Sequence, residues 1–375
     1  MKNDNEIKRG SVVRVLNIMS ALVCGGMETT VMNYYRHIDR SKIQFDFLIT
    51  IDGKNYYEDE AISLGARIFR RPMRTKDPIG NMLGLTRVLR NNADIKIIHI
   101  HNFTSVVAID AVLAIIYGVK TRIVYSSSDI RANAPFIHRV FQPLLRTAAT
   151  HWMAGSTVAG ISMFGEKAVS RLLLLPRARE LESYKYDPER RDATRKRLHL
   201  QEQLAIVHVA RFDKAKNQIF LLKAFSCALK KNKGMVLLLA GDGELMPKLK
   251  KIVGGNDLTD YVRFLGQRDD IPDLLNAADM FVLPSLHEGL PGAAIEAQAA
   301  GLPCLLSDTI SPECNVTDLV EFLPIDKGPE IWAERMLEDK RASRMDTSEE
   351  IRKAGYDICD AAKWLESIYT SALER

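Results

Sequence analysis

One stretch, residues 280–308, constrains the fold of this chain more than any other. It reads as a short apolar strand, a loop rich in glycine and proline, an alanine-rich helix over 293–300 and a second apolar strand. Gly301 stands where a helix ends, shortly before the second strand. A strand, a glycine loop and a helix in this order are the repeating unit of a parallel α/β sheet. The loop's N–H groups and the positive start of the helix then face an open crevice, which favours an anion there.

The same alternation of strands and helices runs along the whole chain and predicts an α/β protein. Predicted strands cover residues 12–19, 45–50, 66–70, 95–101, 121–125, 171–176, 204–210, 235–240, 262–266 and 280–283. Helical spacing is found over residues 79–91, 136–153 and 356–373, among others. A length of 375 residues exceeds one ordinary core and predicts two domains.

Composition narrows the function classes without choosing one. The formal net charge of +5 is too small to indicate a nucleic-acid partner, but it suits an anionic substrate or membrane face. Five scattered cysteines without a C-x-x-C pair predict reduced thiols in the cytoplasm. The polar first ten residues argue against a signal peptide, and the longest apolar window, 106–119, is too short to span a bilayer.

Two pairs of charged residues mark the candidate chemistry. Glu288 and Glu296 frame the loop and helix of the central stretch, with seven residues between them. Arg211 and Lys216 follow the predicted strand 204–210. The sequence contains no Asp-x-Asp element of the kind that holds a divalent metal in many transferases. Fixed cations and a helix start can supply the same electrostatic stabilisation, so these residues predict an anion site that works without a metal.

These residues resemble the nucleotide-sugar site of retaining glycosyltransferases of the family-4 type. The resemblance is carried by E-x7-E at 288–296, by A-x-A-x-G-x-P at 297–303 and by the turn R-F-x-x-x-K-N at 211–217. Ala210 stands where the family usually has glycine before that turn. The resemblance covers nearly the full length, although its specific motifs lie in the second half.

The resemblance implies the GT-B fold, with two Rossmann-like parallel-sheet domains facing across a cleft. The expected boundaries are residues 1–180 for an acceptor domain and 181–355 for a nucleotide-sugar domain. Residues 356–375 are expected to form a helix that returns to the first domain.

The resemblance also assigns roles in the second domain. It implies that Glu288 touches the transferred sugar and that Glu296 holds the ribose hydroxyls. The remaining expected donor contacts are cations and backbone groups on the diphosphate (Arg211, Lys216, Gly289, Leu290) and residues that border the nucleotide (Gly241, Gly243, Gln267).

Three weaker signals lie in the first domain. Gly25, Gly26 and Glu28 match a family turn that lies against the donor phosphates or the acceptor; alternatively, the glycine pair is a tight turn that needs positive φ. His99 and His101 alternate onto one face at the end of a predicted strand. In the family a histidine at the position of His101 lines the cleft, although a structural histidine is an equally good interpretation. No third ligand with metal spacing accompanies the pair, so we expect no metal there.

The sequence departs from the family at two places. Ser127 follows the predicted strand 121–125 where relatives commonly carry a second histidine. The segment 176–180, Pro-Arg-Ala-Arg-Glu, carries bulky cations where relatives have a small turn. These departures put the usual acceptor chemistry, or activity itself, in question.

Two basic or amphipathic segments of the first half have two interpretations each. The run 70–76 is either a solvated face or a contact for anionic lipid headgroups. The pattern over 136–153 is either a helix that packs on its own domain or a face that rests on a membrane.

The resulting hypothesis is a retaining, metal-independent glycosyltransferase of surface or exopolysaccharide biosynthesis. It would use a UDP- or GDP-linked sugar as donor and a polyprenyl-diphosphate-linked glycan as acceptor, without a cofactor and without nucleic acid. It would work in the cytoplasm or at the inner face of the plasma membrane. The alternatives are a non-catalytic nucleotide-sugar-binding partner of a transferase and, less well supported, a nucleotide-sugar epimerase. A dinucleotide dehydrogenase fits least, because no G-x-G-x-x-G follows the first strand.

Overall fold

The computed structural model describes residues 12–51, 53–102, 104–127, 136–338 and 344–373. The chain divides into two compact units. The N-terminal unit comprises residues 1–178 and 358–375, and the C-terminal unit comprises residues 179–357. The chain passes from one unit to the other after residue 178 and again after residue 357.

The described part of the N-terminal unit is built on a parallel sheet of seven strands. The strands are β1 (Val13–Ile18), β2 (Ile43–Ile49), β3 (Ile68–Arg70), β4 (Ile95–His101), β5 (Thr121–Ser126), β6 (His151–Ala154) and β7 (Leu172–Leu174). Their order across the sheet is β3-β2-β1-β4-β5-β6-β7. The strand order reverses between β1 and β4, while all strands stay parallel. At such a switch point, open α/β sheets bind ligands beside the carboxyl ends of their strands.

Helices cover both faces of this sheet and bury two apolar clusters. They are α1 (Gly26–His37), α2 (Glu58–Ser63), α3 (Pro78–Asn91), α4 (Ala108–Ile116), α5 (Phe136–Ala148) and α6 (Thr157–Phe164). The start of α3 has the residue types typical of a helix start. Asp77 accepts a hydrogen bond from Gly80 N–H, and the helix begins with Pro78.

The C-terminal unit has a parallel sheet of six strands among the described residues, in the order β10-β9-β8-β11-β12-β13. The strands are β8 (Leu204–Val209), β9 (Met235–Ala240), β10 (Val262–Gly266), β11 (Met280–Leu283), β12 (Cys304–Ser307) and β13 (Val320–Leu323). The α-helices are α7 (Leu181–Tyr184), α8 (Pro188–Arg197), α9 (Gln218–Lys231), α10 (Met246–Gly255), α11 (Ile271–Ala277), α12 (Gly292–Ala299), α13 (Pro329–Met336) and α14 (Ser348–Lys353). The central strands are apolar and buried on both faces, as expected for a parallel sheet covered by helices.

The last helix, α15 (Ile358–Ser371), packs against the N-terminal unit. Ile358, Leu365 and Tyr369 lie in the same apolar cluster as β1 and β2. The Tyr369 hydroxyl is 2.8 Å from His99 Nδ1, which ties the helix to β4. None of the described helices is both long enough and apolar enough to cross a membrane.

Two expectations from the sequence need correction in the N-terminal unit. The helical pattern over 136–153 contains two elements, because α5 ends at Ala148 and β6 begins at His151. A short apolar strand directly after an amphipathic helix cannot be separated from it by periodicity alone.

The basic run 70–76 is neither simply solvated nor an unpaired cationic surface. Arg71 and Arg74 both pair with the buried carboxylate of Asp110, at 2.8 and 2.5 Å. Arg70 pairs with Glu58 at 2.6 Å. Two carboxylates therefore offset about half of the positive charge that favoured contact with anionic lipid.

Candidate functional site

The central stretch folds as expected. The helix α12 begins at Gly292 and its last residue is Ala299. Gly301 adopts a φ of +61°, and a Cβ at this position would collide with the backbone carbonyl of Met345, so only glycine fits this turn. Pro291 precedes the helix and no side chain caps its first N–H groups. Ala294 N–H donates to the carbonyl of Pro291 at 3.1 Å, and the donors before it, together with the positive end of the dipole, favour an anion at the start of α12.

Glu288 lies in the loop before α12 and is held from three sides. The Lys216 ammonium forms an ion pair with Glu288 Oε1, and the Ser285 hydroxyl donates to the same oxygen at 2.8 Å. The backbone carbonyl of Glu288 accepts a hydrogen bond from Ser311 N–H at 3.1 Å. Two of the residues predicted from separate motifs are thus in direct contact, although 72 positions separate them.

Lys216 owes its position to a short turn after β8. The Asp213 carboxylate accepts hydrogen bonds from the N–H groups of Ala215 and Lys216, at 3.0 and 3.2 Å. Asn217 then takes a left-handed conformation with φ +56°, from which α9 starts. The carbonyl of Ala215 accepts from Leu286 N–H at 2.7 Å, which fixes this turn against the loop that carries Glu288.

Arg211 behaves differently from Lys216. Its side chain is 78% exposed, and Arg211 Nε pairs with Asp213 Oδ2 at 2.7 Å. The structure brings Lys216, and not Arg211, into contact with a predicted glutamate.

Glu296 is paired with an arginine that the sequence did not single out as a donor ligand. Arg179 Nε lies 2.5 Å from Glu296 Oε1, and the two side chains are only 13% and 12% exposed. Tyr184 completes this buried group: burial, followed by the nearby charge of Glu296, raises the pKa of its phenol far above the ordinary value. The available signal for Arg179 was the departure at 176–180, where cations replace a small turn.

Gly241 and Gly243, which were predicted to border the nucleotide, are also required by the packing of the backbone around them. A Cβ on Gly241 would overlap the carbonyl oxygen of Ala210, and a Cβ on Gly243 would overlap the backbone of Phe212. Phe212 N–H donates to the carbonyl of Asp242 at 2.8 Å. This glycine loop therefore interlocks with the turn after β8 and supports the position of Lys216.

The other residues predicted to contact the donor in this unit lie in loops that follow strands of the same sheet. Gln267 is exposed directly after β10, and Gly289 and Leu290 lie in the loop between Glu288 and α12. Leu290 also packs against the apolar core, which anchors the loop.

In the N-terminal unit, the turn Gly25-Gly26 opens α1 as expected. Its glycines do not adopt positive φ, since Gly25 has a φ of −129°. Instead, a Cβ on Gly25 would overlap the Glu28 carboxylate, which folds back over the helix start. Burial raises the pKa of Glu28, while its own N–H and the charge of Arg177 oppose this increase.

Of the two interpretations of His101, the structure favours the structural one over one that lines the cleft. His101 is 3% exposed and its Nε2 is 2.9 Å from Asn17 Oδ1 inside the core. His99 does share its face, with ring centroids 4.2 Å apart, and is also buried. Burial lowers the pKa of His101 to about 3, so its imidazole is neutral at physiological pH. The histidine pair is a structural element of the sheet.

Two further sequence predictions concern this end of the sheet. Across the described residues, no group of three or more His, Cys, Asp or Glu side chains has a geometry suited to a metal ion. Ser127 lies half-buried directly after β5, and the following Ser128 and Asp129 lie outside the described residues.

Residues 203–338 match the family model described as "Glycosyl transferases group 1". This region contains Arg211, Lys216, Glu288 and Glu296. Over 377 aligned residues the chain is 33% identical to the glycosyltransferase named EpsF from Bacillus subtilis (strain 168), covering 96% of this chain and 97% of that protein. The chain belongs to the group 1 glycosyltransferases.

Other similar proteins agree with this assignment. The chain is 34% identical over 165 residues to an Escherichia coli UDP-Gal:α-D-GlcNAc-diphosphoundecaprenol α-1,3-galactosyltransferase, covering 42% of this chain and 43% of that enzyme. The crystal structure of Anabaena Alr3699/HepE in complex with UDP superposes with a TM-score of 0.77 at 16% identity, covering 96% of this chain and all of that chain. This structural likeness confirms the GT-B fold class predicted from the sequence.

Proposed function

We propose that this glycosyltransferase transfers a sugar, with retention and without a metal, from a UDP- or GDP-linked donor to a lipid-linked glycan in surface or exopolysaccharide biosynthesis. The observation that carries the proposal is the contact between Lys216 and Glu288 beside the start of α12. It joins a cation, a carboxylate and a helix start, three features that a nucleoside diphosphate sugar requires.

The charges of this site fit the two halves of such a donor. Lys216 and Glu288 neutralise each other, so neither charge is buried alone. A diphosphate can take over the Lys216 ammonium and the N–H groups at the start of α12. Glu288 is then released to accept hydrogen bonds from hydroxyls of the sugar, while Glu296 serves the ribose.

The reaction requires stabilisation of the leaving group. The bond between the sugar C1 and the β-phosphate oxygen breaks, and a new bond forms between C1 and the acceptor oxygen. The acceptor proton passes to an oxygen of the departing nucleoside diphosphate on the same face of the sugar. Lys216 and the helix start offset the negative charge that develops on that phosphate.

The direct test is a panel of labelled UDP- and GDP-sugars with polyprenyl-diphosphate glycans as acceptors. We expect transfer from one donor, unchanged by EDTA, with a product whose anomeric proton coupling matches that of the donor. Inversion of the anomer or loss of activity in EDTA would contradict the mechanism. Donor binding without transfer to any acceptor would favour the non-catalytic alternative.

The acceptor proposal is supported by the surface of the N-terminal unit. The helix α5 exposes an apolar face formed by Phe136, Ile137, Val140 and Leu144, of which Phe136 is 82% exposed. The opposite face is buried through His138 and Leu145. An amphipathic helix with its apolar face outward suits the boundary of a lipid bilayer, where a polyprenyl-linked acceptor resides.

Vesicle flotation tests this part of the proposal. We expect the wild-type protein to float with vesicles of phosphatidylglycerol and phosphatidylethanolamine, and the variant Phe136→Ser/Val140→Ser to remain in solution. The matched control, Val169→Ser, removes an apolar side chain that is 48% exposed outside α5. Equal flotation of all three proteins would contradict a membrane role for this helix.

A further inference from the structure

The arginine beside Glu296 is fixed at the place where the chain enters the C-terminal unit. Arg179 N–H donates to the carbonyl of Tyr356 at 2.8 Å, and Arg179 forms a parallel bridge with Asp357. The backbone on both sides of the side chain is thereby held by a neighbouring segment. Since the backbone is fixed, the guanidinium can reach only a small region.

That region is the start of α12. Arg179 Nη2 lies 3.0 Å from the position that a Cβ on Gly292 would occupy, and Glu296 Oε1 lies 4.0 Å from the same point. A larger residue than glycine at 292 would therefore press against the guanidinium. The ion pair and the first residue of the helix form one contiguous group.

A guanidinium at the start of a helix is unusual, because the positive end of the dipole repels it. Glu296 offsets this repulsion through Oε1. Arg179 Nε donates to Oε1 of Glu296, and the carboxylate has a second oxygen, Oε2, that can face a ligand. The pair thus combines an oriented carboxylate oxygen with a cation placed beside the predicted diphosphate site.

We propose that Arg179 is a positioning residue that determines the affinity for the nucleotide donor. It holds the Glu296 carboxylate through Oε1 and turns it so that the second oxygen accepts hydrogen bonds from the ribose hydroxyls. Its guanidinium also adds positive charge beside the phosphates at Gly292. This inference rests on the proposed function, because it concerns the same donor. It accounts for the cation at a position where the family has a small turn.

The test uses the full chain and measures UDP and GDP binding by calorimetry together with the donor KM, the acceptor KM and kcat. For Arg179→Ala we expect the nucleotide Kd and the donor KM to rise about 10- to 100-fold, the range for loss of a hydrogen bond to a charged group. The acceptor KM should stay within threefold. Arg179→Lys should recover part of the affinity, because it restores the charge without the planar hydrogen-bonding group.

The control variant is Arg197→Ala, which removes an arginine that is 52% exposed and pairs with Asp270 in the same unit. It should leave the Kd unchanged. If Arg179→Ala does not fold, Arg179→Lys alone must still raise the Kd at least threefold. A Kd within threefold of wild type in the folded variants overturns the inference, while an active wild-type enzyme leaves the proposed function intact. A wild-type protein that neither binds a nucleotide nor transfers a sugar overturns both.

Discussion

The two units place their chemistry-bearing residues in opposite environments. In the C-terminal unit, Glu288 and Glu296 belong to the loop and helix that follow β11, and each is paired with a cation from another segment. In the N-terminal unit, His99 and His101 occupy the corresponding end of a central strand, but they are buried and bonded within the core. The two groups therefore differ in their partners: the glutamates contact cations, whereas the histidines contact neutral side chains.

The contrast also explains why donor recognition is easier to identify than acceptor recognition. The donor carries a diphosphate and a ribose, so its site needs charges at defined spacing, and spacing is visible in a sequence. The N-terminal unit offers an exposed apolar face on α5 and a buried polar cluster. Neither has a fixed spacing that a motif could record.

The largest expected effect of a single substitution is in the C-terminal unit. Lys216→Ala removes the cation that offsets charge on the leaving phosphate, and we expect kcat/KM to fall by about 10²- to 10³-fold. The control, Lys214→Ala, removes an exposed lysine from the same turn and should keep full activity. If both variants lose activity equally, the contact with Glu288 is not the cause. Steady-state kinetics with the preferred donor measures the effect.

A smaller effect, on stability and not on rate, is expected in the N-terminal unit. His101→Asn shortens a buried side chain that bonds Asn17, so the free energy of unfolding should fall by about 1–3 kcal/mol. The rate per folded molecule should be unchanged. Urea denaturation and kinetics on the same preparation separate the two quantities. A hundredfold loss of kcat with unaltered stability would restore His101 as a catalytic group.

A third expected effect is a pH dependence of stability in the same cluster. The folded pKa of His101 is about 3, and burial also holds the pKa of His99 well below the ordinary value of 6.5. Below pH 6.5 the unfolded chain binds protons that the folded chain does not. For His101 the stabilising contribution is therefore complete above pH 6.5 and is lost as the pH falls towards 3, by about 1.4 kcal/mol per pH unit. His99 acts in the same direction.

Denaturation between pH 7 and 5 in His101→Gln checks this expectation. The variant should lose less stability over this range than the wild type. A matched control is His37→Gln, which changes a half-buried histidine on α1. Identical pH curves for His101→Gln and the wild type would show that His101 is not held neutral by the fold.

Much of the architecture could be predicted from local patterns. The bounds of β4 and β9 coincide with the predicted strands, because both are apolar runs bounded by clear breaks. The start of α12 and the role of Gly301 follow from glycine and proline placement. The helix α5 could not be separated from β6, since both are apolar and no turn residue of the usual kind divides them.

The site was predictable only in part. The motifs predicted Lys216 and Glu288, which the structure joins. They could not predict that Arg179 would pair with Glu296, because the two residues are 117 positions apart and the contact depends on how Tyr356 and Asp357 hold the backbone of Arg179. The burial of His101 was equally hidden, since alternation defines the face of a strand but not what covers it.

The central claim is that the turn carrying Lys216 and the start of α12 together hold the diphosphate of the donor. Hydrogen–deuterium exchange of the full chain, with and without saturating UDP or GDP, tests this most directly. The account predicts slower exchange in residues 213–217 and 286–296, with no change in β4. If the nucleotide binds and neither segment exchanges more slowly, the account is contradicted.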